Sequence, residues 1–207
     1  MMQLATLIDR AAALAVPGQR RLLGIAGAPG SGKGTVAEAV CAALGAAAVI
    51  VPMDGFHLAG AELTRLGLAD RKGSPPTFDA AGYVALLRRL RHPDGRTVYA
   101  PEFHREVEES FAGAIAVPPE VPLVITEGNY LLLPDDPWVE VRELLDEAWF
   151  LAPDEQQRIS RLVARHVEFG KTADQAHEWV QRSDETNARL IESTRDRADL
   201  VIYGDPA

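Results

Sequence analysis

The sequence is short of positive charge, and within that charge it is short of lysine. Lysine stands only at positions 33, 72 and 171, and the 21 Lys and Arg residues face 30 Asp and Glu, a net charge of −9. With a pI near 5.0, a chain of this balance has no broad surface for nucleic acid. Cys41 is the one cysteine, so no intrachain disulfide exists and no oxidising compartment is implied. The five histidines show no zinc spacing. Long apolar runs are missing too. The charge-poor stretch 39–53 is interrupted by Gly45 and Pro52 and is too short for a membrane span. The N-terminus lacks the basic start and small-residue cleavage site of a secretory signal. These absences lead to the expectation of a cytoplasmic protein without membrane or nucleic-acid partners.

What remains is ordinary for a folded domain. The chain has 207 residues, 47% of them hydrophobic and 25% charged, which suits a single domain able to bury most of its apolar surface. Apolar runs of strand length alternate with helical stretches. Arg21–Gly27, Ala48–Met53, Val121–Thr126, Glu147–Leu151 and Asp199–Tyr203 read as strands. Gly32–Leu44 reads as a helix, and Asp79–Arg91 as an amphipathic helix capped by Asp79. Continuous apolar runs between helices predict an α/β fold, a three-layer domain around a parallel sheet buried on both faces. Thr97–Pro101 and Ala114–Val117 read as two short strands around the polar segment 102–110, a flap of about 96–118. The charged stretch 154–195 is expected to be helical with a break at Gly170.

The strongest chemical signal lies between the first strand and the first helix, in Gly27-Ala28-Pro29-Gly30-Ser31-Gly32-Lys33-Gly34-Thr35. Glycines let the backbone wrap a phosphate chain, the helix start aims free N–H groups at the anion, and Lys33 adds charge for the outer phosphates. All nine residues are therefore candidate nucleotide contacts. The pattern departs from the common one at Gly34, where a Ser or Thr hydroxyl usually meets magnesium. Thr35 is the remaining candidate from the loop for that ion.

Ligands of open α/β sheets sit beyond the carboxyl ends of the strands. Two acids fall there: Asp54 in Val51-Pro52-Met53-Asp54-Gly55-Phe56-His57, and Glu127 in Val124-Ile125-Thr126-Glu127-Gly128-Asn129-Tyr130. Asp54 suits the orientation and deprotonation of an acceptor hydroxyl, and Glu127 suits support of magnesium. His57, Tyr83, Arg105, Asn129 and Tyr130 are further candidates for the acceptor pocket.

GAPGSGKGT, VPMDGFH and VITEGNYLLL together resemble, in order and spacing, P-loop small-molecule kinases of the uridine kinase, pantothenate kinase and phosphoribulokinase type. PPTFDAAGYVALLRRLR and VYAPEFHRE are similar to that family's substrate-side helix and flap, and the resemblance looks closest to the bacterial branch labelled fructose transport system kinase, or fructokinase. It implies a P-loop NTPase fold with a five-stranded parallel sheet, ATP and Mg2+ as cofactors, and a sugar-like hydroxyl acceptor. It also implies a lid at about 158–185 whose arginines stabilise the transferring phosphoryl group, with Arg161 and Arg165 the favoured pair in the row Arg158, Arg161, Arg165. The GKGT ending is similar to adenylate kinases, so a nucleoside monophosphate stays open as acceptor. A non-catalytic ATP-binding module and a homodimer are also left open.

Overall fold

The structure is a computed structural model that describes residues 3–170, 172–180 and 184–206. The expected lid therefore includes Lys171 and residues 181–183, which lie outside the described residues. Five parallel strands form the central sheet: β1 (Arg21–Gly27), β2 (Ala48–Ile50), β5 (Leu123–Gly128), β6 (Glu147–Ala152) and β7 (Leu200–Tyr203), in the order β2-β5-β1-β6-β7. β1 lies in the middle, with Ala26 opposite Gly128 of β5 and Gly27 opposite Leu151 of β6.

Strand residues alternate between two faces, and both faces here are covered. Leu22 and Ala26 of β1 join Val124 of β5 and Ala148 and Phe150 of β6 in one core. That core is closed by α4 (Ala80–Arg91), α5 (Val139–Leu144) and Ile191 of α8 (Glu185–Glu192). Leu23 and Ile25 join Leu123, Ile125, Trp149 and Leu151 in the other, under α1 (Leu4–Leu14) and α2 (Lys33–Leu44). This double burial explains why the strands read as unbroken apolar runs. Asp79 caps α4 as expected, its carboxylate accepting from the Gly82 N–H at 2.8 Å.

Three expectations need correction. The second strand stops at Ile50 instead of Met53, because Pro52 has no N–H to continue the ladder; Met53–Phe56 form a 3₁₀ turn, so Asp54 sits on a turn just past the strand. The third apolar run is β5, which extends through Gly128, so Glu127 is its penultimate residue. The flap is a longer hairpin than its apolar ends suggest. β3 (Val98–His104) and β4 (Glu109–Val117) pair antiparallel deep into the polar segment. One face of this two-stranded ribbon is wet, so it needs no apolar run to form. The remaining helices are α3 (Gly60–Leu66), α6 (Glu155–Glu168) and α7 (Ala173–Trp179), with Gly170 in the left-handed region at φ 97° after α6. None of the described helices is long and apolar enough to cross a membrane.

Candidate active site

The turn from β1 into α2 is shaped by its glycines. Gly32 holds φ 84° as the N-cap of α2 and offers no capping side chain, so the first-turn amides of that helix face outward without a protein acceptor. At Gly30 a Cβ would lie 2.8 Å from the Arg158 carbonyl oxygen, which only glycine tolerates. The Ser31 hydroxyl is buried and has no partner. A cradle of open amides, an orphaned hydroxyl and a lysine fits a chain of phosphates, the anion class such helix starts bind.

That cradle is the floor of a cavity of about 610 Å³. Gly30, Ser31, Gly32, Lys33, Gly34 and Thr35 line it from the loop. Asp54, Arg105, Glu127, Arg161 and Arg165 enter from four other segments, so most of the charged candidates converge on one space. A second cavity of about 440 Å³ lies on the flap side and contains His57, Phe78, Phe103, Asn129 and Lys72. The two share Lys33, Asp54, Arg105 and Arg165. A charged gate therefore joins two compartments.

Electrostatics at the gate are tight. Glu127 is pushed well above the ordinary carboxylate range, first by burial and further by the Asp54 charge, while the Lys33 ammonium opposes the shift. Burial lowers Lys33 from its ordinary value, and Glu127 and Asp54 pull it back. Arg105, at the tip of the flap, reaches Asp54 at 3.4 Å. Arg165 is depressed by burial and by Arg105 beside it, and no ion pair among the described residues ties it down. A half-buried guanidinium of this kind is ready for an anion. His57 is stacked between Phe78 and Phe103, at centroid distances of 4.0 and 4.6 Å, and its Nδ1 lies 2.8 Å from the Asp54 carbonyl oxygen. Burial holds this imidazole below its usual pKa.

Other sequence candidates stand elsewhere. Gly27 and Ala28 form the buried rising limb of the loop and do not line the phosphate cavity, while Pro29 lines the second one. Tyr83 and Tyr130 are each 0% exposed and line neither cavity. The apolar face of α4 carries Tyr83 into the core, where it meets Phe56 and Trp138, and Tyr130, on the bend after β5, packs there too, its hydroxyl donating to the Gly73 carbonyl at 2.5 Å. The structure therefore does not bring either ring to the surface of a cavity in this conformation. Arg158 is 6% exposed and donates to the Pro29 carbonyl and to Glu185, so it braces the loop from behind. Arg161 lines the phosphate cavity but is paired with Asp205.

Sequence reading missed Leu4, Asp205 and Pro206 in the larger cavity and Lys72 and Phe103 on the flap side. Lys72 carried a usable signal as one of three lysines. Its Nζ sits 5.1 Å above the Phe103 ring and 3.2 Å from the Glu108 carboxylate. Leu4 and Pro206 carried none, being apolar residues at remote ends of the chain.

A phosphate-binding turn on the central strand, two acids beside it and a second cavity across a cationic gate define a P-loop phosphotransferase. Comparison with known proteins narrows the class. Residues 22–206 match the Phosphoribulokinase / Uridine kinase family, and the chain belongs to it. Over 207 residues it is 34% identical to "Putative uridine kinase C227.14" of Schizosaccharomyces pombe, covering 95% of this chain and 88% of that protein. The uridine kinase of Clostridium perfringens is 26% identical over 87% of this chain and 85% of its own. Among solved structures, the "putative fructose transport system kinase" from Silicibacter sp. TM1040 superposes with a TM-score of 0.89 at 39% identity, covering 98% of this chain and all of the other. The protein is an ATP-dependent kinase that phosphorylates a small substrate.

Proposed function

We propose that this kinase moves the γ-phosphoryl group of ATP to a hydroxyl of a small metabolite, with the larger cavity holding the nucleotide and the flap-side cavity holding the acceptor. The observation that carries the reading is the pair of cavities sharing Lys33, Asp54, Arg105 and Arg165. Donor and acceptor would meet at one carboxylate flanked by three cations.

In this reading the open amides of the loop and Lys33 hold the β- and γ-phosphates. Asp54 accepts the proton of the acceptor hydroxyl as its oxygen bonds to the γ-phosphorus. The bond from that phosphorus to the β–γ bridging oxygen breaks, and ADP leaves with the electron pair. Arg165 and Arg161 face the charge spread over the transferring group. Glu127 and Thr35 line the same cavity as the loop and are suited to hold magnesium, which neutralises phosphate charge when bound. Glu127 would hold the ion through its carboxylate, in keeping with an ion that retains much of its water.

A sugar acceptor such as fructose is the acceptor class we favour, because the "putative fructose transport system kinase" from Silicibacter sp. TM1040 matches 98% of this chain with a TM-score of 0.89. A nucleoside or pantothenate-like molecule fits the same hydroxyl chemistry. Both would draw on the cytoplasmic ATP pool. The reading also separates from nucleoside monophosphate phosphorylation, where the acceptor is already an oxyanion and needs no base. The test is Asp54→Asn, assayed by ADP release with D-fructose, uridine, pantothenate and UMP. Transfer to hydroxyl acceptors should fall on the order of 10²- to 10⁴-fold while ATP affinity holds. Unchanged turnover in the variant would remove the base role.

A further inference from the structure

Tyr83 lines neither cavity, yet its hydroxyl lies directly behind the two acids. The Tyr83 oxygen is 2.6 Å from the Thr126 Oγ1, and the Thr126 hydroxyl donates onward to the Val51 carbonyl at 2.6 Å. The Thr126 proton is committed to Val51, so Tyr83 is the donor in its own bond. All three residues are 0% exposed. Val51 is where backbone pairing gives out: its N–H makes the last bond to β5, to the Ile125 carbonyl at 2.8 Å, and Pro52 follows with no N–H. The Thr126 side chain thus supplies the next rung of the ladder. One residue beyond Thr126 is Glu127, and three beyond Val51 is Asp54. The two chains then come closer still, since a Cβ on Gly128 would lie 2.5 Å from the Met53 Cβ.

We propose that Tyr83 and Thr126 are positioning residues, a buried hydroxyl relay that pins the end of the edge strand β2 to β5 and so fixes the spacing of Asp54 and Glu127 across the phosphate cavity. The inference rests on the roles given to those two acids above. Neither hydroxyl touches substrate. Their contribution is geometric, and misplacing a reacting group by an ångström costs about 10²-fold in rate.

Three variants and a control test it. Thr126→Val keeps the volume and deletes the rung, Thr126→Ser keeps the rung, and Tyr83→Phe deletes only the donor behind it. ADP release is followed from ATP and magnesium with D-fructose, uridine and pantothenate supplied together, and again with water as the sole acceptor. Thr126→Val should lower kcat roughly 10- to 100-fold with KM for ATP within about twofold of wild type. Tyr83→Phe should lose less, the double variant no more than Thr126→Val, and Thr126→Ser should recover the wild-type rate. Amide hydrogen exchange supplies a readout that needs no acceptor: residues 51–56 should exchange faster in Thr126→Val while β1 stays protected. Val141→Ala, a core change in α5, should lower the melting temperature without either effect.

Unchanged exchange at 51–56, additive losses in the double variant, or equal loss of kcat in Val141→Ala at matched melting temperature would each overturn the relay. Full turnover in Asp54→Asn would instead remove the role of the acid, and the exchange result would still judge the relay.

Discussion

The two cavities are built in opposite ways. Six consecutive residues, 30–35, make the floor of the larger cavity, held by a strand with partners on both flanks. The flap-side cavity is assembled from a 3₁₀ turn, the segment near Lys72, the flap, Asn129 just past β5, the end of α6 and residues of the helices that follow it. The first is local geometry that glycine spacing encodes; the second is tertiary geometry that exists only once distant segments have docked. Damage to the first should therefore be catastrophic and confined, and damage to the second graded and spread over several residues.

Lys33→Ala gives the sharpest contrast. It should reduce transfer on the order of 10³-fold and weaken ATP binding as well, measured by ADP release and by titration with a nonhydrolysable analogue. Retained ATP affinity would mean that the loop amides alone hold the triphosphate. Arginine variants probe the boundary. Arg165 lines both cavities and Arg161 only the nucleotide one, so Arg165→Ala should lower kcat roughly 100-fold and raise KM for both substrates. Arg161→Ala, whose guanidinium is half-exposed and already paired with Asp205, should mainly raise KM for ATP. Equal effects would erase the division between the cavities.

The smallest expected effect concerns pH. The Glu127 carboxyl titrates above its unfolded value, so between the two values the folded protein binds the extra proton. Stability from this group is present at low pH and is lost as pH rises through the folded value. Magnesium binding runs the other way, because it needs the carboxylate. Ligand-free melting temperature should thus rise slightly as pH falls from neutrality, while affinity for magnesium ATP declines. Glu127→Gln should flatten both trends. A melting profile that Glu127→Gln leaves unaltered would place the titration elsewhere.

The same division governs what could be read from sequence. The sheet strands and the phosphate loop were legible because double burial writes apolar runs and glycine spacing writes the turn. Asp54 and Glu127 were legible because each stands at the end of such a run. The flap-side cavity was legible only in part. His57 and Asn129 line it, but Tyr83 and Tyr130 point into the core, a choice made by packing against Trp138 and Phe78. The helices α1, α3 and α5 went unseen: α3 and α5 are only 7 and 6 residues long, too short for a periodic signal, and α1 stands ahead of the first strand, outside the alternation of strands and helices. Hairpin strands in the polar flap were underestimated because one of their faces is solvated.

One further consequence follows from how α6 begins. Arg158 donates to the Pro29 carbonyl at 3.3 Å, and Leu162 crowds the place where Gly30 lacks a side chain. The helix that carries Arg161 and Arg165 is therefore anchored at its root to the back of the phosphate turn. A substitution at Pro29 or Gly30 would thus displace the root of that helix as well as the turn, and with it the starting point from which both guanidiniums are set.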